Sequence, residues 1–430
     1  MLHNIIALAF LLSTQDVAVE ITGNVFFSSK YLLKDNTSIS NDDEAERLIS
    51  DILSKYNYAG FPFCTIAPEL SYDDVEKADR LILVINEGTR VIIEDVYFQT
   101  DGHTDVSAAK RLVNWQKSEY FSSRKVALAK IRLMRTKAFA GIGEGVLDRN
   151  GKYYLLLALE ETQSDFLTLS GSLSSDNTEF GASFSSYSLL GTLRQMNFNY
   201  EYQRLFSLEY RDPVLIAPAM LDANFSIWTY DTARLIEGQV RFRAPIGEYF
   251  NVSLLSGIEL VNYYRNDTAS YESSDNLLGI GLGFDYEKYD WSCSQQGHLD
   301  YLFREADRLK IVYDSDCIMY RVIIGLHYHR VRTDSLEFFD YIRVGGARTL
   351  RGYLEDEFLV SSALWLNLEY HRLPIFPLVD VARLDGELLY SYGLGLEARS
   401  SYGNASITVA WPKGGRWRDG KLHLTFERGF

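Results

Sequence analysis

From about residue 165 to its end, the chain alternates apolar and polar residues almost without a break. Phe180, Ala182 and Phe184 share one parity against Gly181, Ser183 and Ser185. Leu364, Leu366, Leu368 and Tyr370 alternate with Trp365, Asn367, Glu369 and His371. Leu388, Tyr390, Tyr392, Leu394 and Leu396 alternate with Ser391, Gly393, Gly395 and Glu397. Successive strand side chains point to opposite faces, so a period of two describes a sheet with one apolar and one polar face. About 16 such segments follow one another, each about ten residues long, which is enough to cross a bilayer when tilted. The pattern predicts an all-β transmembrane barrel of about 16 antiparallel strands over residues 164–430, since single-chain bacterial barrels have an even strand count. A soluble β-sandwich also alternates, but its strands are shorter and its inner face meets a second apolar face. No uncharged apolar run of about 18 residues occurs beyond the N-terminus, so no helical span is expected.

The rest of the composition narrows the function classes. Tyr and Phe, at 29 and 24 residues, supply most of the aromatic content, as expected of strands with tyrosines at both ends. The net charge is -15 and there is no basic stripe to neutralise phosphates, so nucleic acid is not expected as a partner. Three cysteines are too few for a disulfide scaffold. Cys64 stands alone. Cys293 and Cys317 fall near two turns on the same side of the barrel, where a bridge is compatible with an oxidising compartment. Free buried thiols are the plainer reading. His327 and His329 share a face without a third ligand at metal spacing. No nucleophile elbow, P-loop or Cys–His pair is present. The chain is therefore not expected to be an enzyme or to hold a metal.

The N-terminal 163 residues follow a different plan. Ile5 to Leu12 form a short apolar core, the length of a signal peptide, and residues 1–16 are read as a secretory signal despite the missing basic start and the poor Asp16-Val17-Ala18 cleavage site. A mis-called start or a buried strand is the alternative. Residues 17–90 then read as β-α-β-β, with a further short helix near Tyr31. Val17 to Asn24 alternates. Ala45, Leu48, Ile49, Ile52, Leu53 and Tyr56 recur at helical spacing, and Leu81 to Gly88 closes the unit as a strand. Residues 91–163 repeat the plan: strand Val91 to Thr100, two helices, and a strand pair joined by the Asn150-Gly151 turn signal. Two α+β repeats are expected. One irregular α+β domain is the plainer alternative.

A second feature stands inside the alternating region. VGGARTLRGY, Val344 to Tyr353, places glycines around an arginine between two membrane strands. A guanidinium cannot face lipid cheaply, so this segment must reach water or fold into a polar lumen. With an even strand count starting in the periplasm, loops after odd strands face outward. Residues Asp334 to Glu357 become the sixth and longest external loop, and Cys293 and Cys317 lie near periplasmic turns.

These features together resemble the BamA/TamA-type outer-membrane assembly factors, in which periplasmic POTRA modules precede a 16-stranded barrel. The α/β repeats resemble POTRA modules down to the closing LILVINEGT. The stretch with Gly345, Gly346, Arg351, Gly352 and Tyr353 resembles the family's sixth-loop motif. DGKLHLTFERGF, about 80 residues on and ending at Phe430, resembles its last strand. The resemblance covers nearly the whole chain. It implies that the loop folds back into the lumen and that Arg351 pairs with acids of the barrel wall. Alternation places Glu369 in the lumen, and Asp380 with it if Val379 and Val381 face lipid. These match the family's acidic partners, although Asp380-Val381-Ala382 departs from its Asp-x-Gly. Inside a water-filled lumen the pair would be worth little and its role would be positional. A solvated loop tip is the plainer reading of Arg351.

The resemblance also implies a function: receiving unfolded outer-membrane or secreted polypeptides on POTRA modules and inserting or translocating them, in contact with the lipid bilayer and with accessory periplasmic proteins or lipoproteins, and without a cofactor. It implies a weakly paired lateral seam between Phe166–Leu173 and the last strand, with Leu422, Leu424, Phe426 and Phe430, interrupted by Arg428. A two-partner-secretion transporter shares the layout but usually carries a plug helix and a Pro-rich linker, which are not evident among these 8 prolines. A passive pore leaves the α/β repeats unexplained.

Overall fold

The computed structural model describes residues 17–34, 38–74, 77–173, 178–230, 232–265, 268–288, 291–303, 307–372, 374–400 and 403–429. The expected signal segment 1–16 and the terminal Phe430 lie outside them. Two compact units divide the chain: one takes in residues up to 101 with 113–134 and 141–160, the other 102–112, 135–140 and 161–430.

Two α/β modules of one topology precede residue 162; the first lies wholly in the smaller unit, and the second is divided, with residues 102–112 and 135–140 counted in the larger one. The first module runs β1 (Val17–Thr22), α1 (Ser29–Leu33), β2 (Ser38–Ile39), α2 (Asp42–Ala59), β3 (Thr65–Asp74) and β4 (Lys77–Asn86). The second runs β5 (Ile92–Gln99), α3 (Val106–Val113), β6 (Glu119–Tyr120), α4 (Ser123–Met134), β7 (Phe139–Arg149) and β8 (Lys152–Glu161). The sheets have the orders β2-β1-β4-β3 and β6-β5-β8-β7, and in each the first and last long strands pair in parallel. The repeat read from the sequence is therefore a repeat of topology. The two-residue strands β2 and β6 were not expected, because so short a segment has no period to read.

Local chemistry explains the elements. Asn41 caps α2 by accepting from the Glu44 amide at 2.9 Å, and Gly60 ends the helix at φ 106°. The α2 stripe buries Ala45, Leu48, Ile52 and Tyr56 against Val17, Val19, Leu81 and Leu83. Asn150 and Gly151 adopt φ 56° and 76°, the turn that matches hairpin twist between β7 and β8.

Glu87, just after β4, organises the start of the first module. Its Oε1 accepts from the Val25 amide at 2.6 Å, the Phe26 amide at 2.7 Å and the Tyr56 hydroxyl at 2.7 Å. Burial opposes the charge, yet the Phe26, Tyr56 and Val25 donors outweigh it and hold the carboxylate below its ordinary pKa. Burial, then the Glu87 charge, pushes the free Cys64 thiol up to about 11.

From residue 165 on, the larger unit forms a closed antiparallel barrel. Its strands are β9 (Asp165–Leu173), β10 (Thr178–Ser186), β11 (Gln195–Glu201), β12 (Leu205–Asp212), β13 (Met220–Tyr230), β14 (Ala233–Ile246), β15 (Phe250–Arg265), β16 (Thr268–Lys288), β17 (Trp291–Phe303), β18 (Arg308–Met319), β19 (Val322–Arg332), β22 (Ser362–Tyr370), β23 (Ile375–Leu384), β24 (Glu387–Ser400), β25 (Gly403–Pro412) and β26 (Lys421–Gly429). The short β20 (Ile342–Val344) and β21 (Phe358–Val360) form a separate hairpin inside the loop between β19 and β22. Closure runs β26 to β9. The barrel thus has the 16 strands that the alternation predicted.

Register separates the faces. Leu254 pairs with Ile280 and Ile280 with Leu299, all outward; Leu254 and Ile280 are 61% and 59% exposed. A continuous apolar belt of this kind is costly in water and suits hydrocarbon. Aromatic rings border it near one rim, where Phe250 and Phe284 lie 5.2 Å apart and Trp291 is exposed. The opposite parity, including Asp275, Glu259, Arg243 and Asp380, is buried on the lumenal side.

Replacing Glu87 with Gln removes a charged acceptor from two amides. Hydrogen exchange at Val25 and Phe26 is expected to speed up several-fold in Glu87→Gln. Because the native pKa is lowered, Glu87 adds stability above the ordinary carboxylate range. That protection in wild type is lost as pH falls through the depressed pKa, and exchange measured from pH 7 downward checks it.

Candidate functional site in the barrel lumen

The loop between β19 and β22 enters the lumen and is held there at three places. At its centre Arg351 is 8% exposed and Asp380 fully buried. Arg351 Nε donates to Asp380 Oδ2 at 2.9 Å and Nη2 to Asp380 Oδ1 at 2.6 Å, a two-pronged fork. The Arg351 amide also donates to Asp380 Oδ2 at 2.9 Å, while Nη1 donates to Glu369 Oε1. His371 Nε2 lies 2.7 Å from the other Glu369 oxygen. Asn367 Nδ2 donates to Asp380 Oδ1 at 2.8 Å and to the Thr349 carbonyl at 2.7 Å, tying wall to loop backbone.

The loop's glycines make this seating possible. Gly345, Gly346 and Gly352 have φ of 126°, 88° and 93°, a region that L side chains rarely adopt. A Cβ on Gly352 would lie 2.9 Å from the Trp411 carbonyl carbon and 3.0 Å from Pro412 N, so only glycine lets the loop backbone approach β25 this closely. Thr349 Oγ1 closes the Gly345 turn, accepting from the Gly345 amide and donating to its carbonyl, both at 2.8 Å. Tyr353 donates to the Tyr390 carbonyl on β24 at 3.3 Å, and Leu350 and Val344 are fully buried beside Trp365, Ala382 and Leu389.

The other two anchors were not read from the sequence. Arg308 on β18, 2% exposed, donates from Nη1 to Asp340 Oδ1 at 2.6 Å and lies 3.1 Å from Glu337. Arg204, in the turn between β11 and β12, donates to Asp356 at 2.5 Å and is 3.6 Å from Glu355. Arg308 stands at a lumenal position at the start of its strand, which is a usable signal. Arg204 follows Glu201 in a turn, where charges are ordinarily solvated, and nothing local marks it.

Several expectations change. Arg351 is not a solvated tip. The Arg351–Asp380 pair is desolvated rather than bathed in lumenal water, so its loss costs far more than a surface ion pair. Asp380 makes most of the bonds despite the departure from Asp-x-Gly, because the glycine position is Ala382, a small residue buried in the loop's own apolar cluster. Cys293 and Cys317 are direct cross-strand partners joined by a disulfide, against the free-thiol reading, because register sets them opposite one another on the outward face.

Across the seam, Leu422 pairs with Leu173, Leu424 with Gly171 and Phe426 with Leu169. Leu424 and Phe426 face outward. Eight residue pairs close the seam, from Phe166 with Gly429 to Leu173 with Leu422.

No sequence-family model matches this chain, and no curated protein matches it by sequence. Solved structures match it in fold. BamA from Haemophilus ducreyi lacking POTRA domains 1-3 aligns over 97% of this chain and 100% of that one, with a TM-score of 0.58 at 13% identity. CdiB from Escherichia coli aligns over 96% and 90%, with a TM-score of 0.62 at 11% identity. CdiB from Acinetobacter baumannii aligns over 96% and 89%, with a TM-score of 0.60 at 11% identity. The BamA/TamA-type resemblance therefore holds at the level of the fold.

Arg351→Ala leaves the Asp380 carboxylate buried without its cation, a loss of about 3–5 kcal/mol for such pairs, enough to release the loop. A cysteine placed at Thr349 is expected to become reactive to a membrane-impermeant maleimide in that background, while the barrel keeps its heat-modifiable migration on gels. Gly352→Val is expected to do the same by steric exclusion. Unchanged labelling in both variants would remove the latch.

Proposed function

We propose that this chain is an outer-membrane polypeptide-handling barrel whose N-terminal α/β modules act as periplasmic POTRA modules. It inserts or translocates unfolded polypeptides and carries out no covalent chemistry, metal chemistry or cofactor chemistry. The observation that carries the reading is a long loop latched inside a closed 16-stranded barrel by Arg351, Asp380 and Glu369. A passive pore needs an open lumen and gains nothing from three anchors on one loop, two of them on buried arginines. The likeness to BamA and to CdiB supports a polypeptide insertase or transporter and does not choose between them.

In this reading the sheet edges offered by β3 and β7 are where clients add a strand, since main-chain bonding tolerates varied sequences. The seam between β9 and β26 opens toward the bilayer. Its lumenal side carries only short or polar side chains, with Thr168, Ser170 and Ser172 facing Glu427, Thr425 and His423. Little apolar packing is lost when it parts.

Insertion of other barrels is the preferred role, and secretion of one large partner is the alternative. Depletion of the protein separates them. General loss of outer-membrane barrels is expected. Normal barrel levels with loss of a single secreted protein would overturn the insertase reading in favour of the transporter. The seam has its own test: Gly171→Cys with Leu424→Cys places thiols on an observed cross-strand pair. Oxidation is expected to abolish activity and reduction to restore it.

A further inference from the structure

The lumen holds a second polar site, on β10 to β15 and β17 rather than on the latch strands. It is a cavity of about 420 Å³ among the strand ends that face the turns after even-numbered barrel strands. Four cationic side chains line it, Lys137, Arg211, Arg241 and Arg243, against two carboxylates, Glu209 and Asp222. This excess of two positive charges runs against a whole-chain net charge of -15. Asp222 is already committed: its Oδ1 accepts from Arg211 Nε at 2.7 Å and its Oδ2 from Arg243 Nη2 at 2.8 Å. Arg241 sits two residues from Arg243 on the same lumenal face and has no carboxylate partner among the described residues. The loop that fills the other part of the lumen makes none of these contacts.

Clustered guanidiniums repel one another, and holding them together around the buried Arg243 is unfavourable unless something anionic completes the site. Arginine forks select carboxylate or phosphate. The rest of the lining favours the carboxylate of a peptide. Among the described residues, Asn224 Oδ1 is buried without a hydrogen-bond partner and Gln296 adds an uncommitted amide, the complement of main-chain amides, while Gln195, Asn197 and Gln239 are already bonded to Thr136 and Arg211, to Ser185 and to Glu237. The barrel wall also separates the cavity from the bilayer, so a lipid phosphate has no direct route to it.

We propose that this cavity binds a carboxylate-bearing stretch of extended polypeptide as it passes through the lumen. The proposal rests on the polypeptide-handling reading above and names what the barrel interior grips. Arg241 is the free hand of the site, and Arg211 and Arg243, prearranged by Asp222, are its fixed wall.

The test uses the full chain in nanodiscs of zwitterionic lipid, with fluorescence anisotropy of three labelled decapeptides that differ only in carrying Glu, Gln or Lys at alternate positions. The Glu peptide is expected to bind at least tenfold more tightly than the Gln peptide, and more weakly as salt rises. Arg241→Gln is expected to weaken it ten- to a hundredfold, the worth of about one charge-assisted hydrogen-bonded contact. Gln239→Glu, which sets a carboxylate beside Arg241 on the same face, is expected to give the same loss without removing any arginine. Equal binding of the Glu and Gln peptides, or indifference to both substitutions, would overturn the proposal. Competition by inorganic phosphate at concentrations equal to the peptide's would also overturn it, by making the cavity a general anion site. Depletion experiments on cells answer separately whether the protein handles polypeptides at all, so an unselective cavity with an intact cellular role sinks only this inference.

Discussion

The larger unit depends on one constraint: in hydrocarbon, every backbone N–H and C=O must find a partner within the protein. A sheet satisfies this only by closing, and the pairing of β26 with β9 is what closes it. Closure then creates an interior. Once the outward parity is committed to an apolar belt, every second residue of 16 strands must point into one shared space. Charged side chains that would be ruinous on the outer face are collected there, which is how Arg351, Arg308, Asp340 and Asp380 come to be buried without facing lipid.

Burial changes what those charges do. On a wetted surface an Arg–carboxylate pair is nearly neutral in energy. Asp380 is fully buried and accepts from Arg351 at three points and from Asn367 at a fourth, so the arrangement has one favourable geometry and a steep cost for leaving it. Arg308 with Asp340 adds the same logic on another part of the wall, and Arg204 adds a half-buried pair with Asp356. The loop is held across the barrel, not merely pinned at its tip, and Gly352 supplies an approach to β25 that a side chain would block.

Much of this was legible in the residues. Alternation gave the barrel, its parity and its strand count, because period two follows from backbone geometry and needs no tertiary context. It also placed Glu369 and Asp380 in the lumen. Helical spacing in Ala45, Leu48, Ile52 and Tyr56, and the Asn150-Gly151 turn, revealed the two α/β repeats for the same local reason. The short strands β2 and β6 left no trace, since two residues carry no period.

Chain order by itself determined the membrane-spanning sheet, the repeat that precedes it, and the presence of an arginine-bearing glycine loop that could not face lipid. These are consequences of local stereochemistry and of the cost of charge in hydrocarbon. Only the tertiary structure decided which acids Arg351 meets and how dry the pair is, that Cys293 stands directly opposite Cys317, that Arg204 and Arg308 hold the loop, and that three arginines converge on a lumenal cavity. Those facts depend on strand register and on closure around a common interior. Residues more than a hundred positions apart become neighbours there, and no local pattern in either one announces the other.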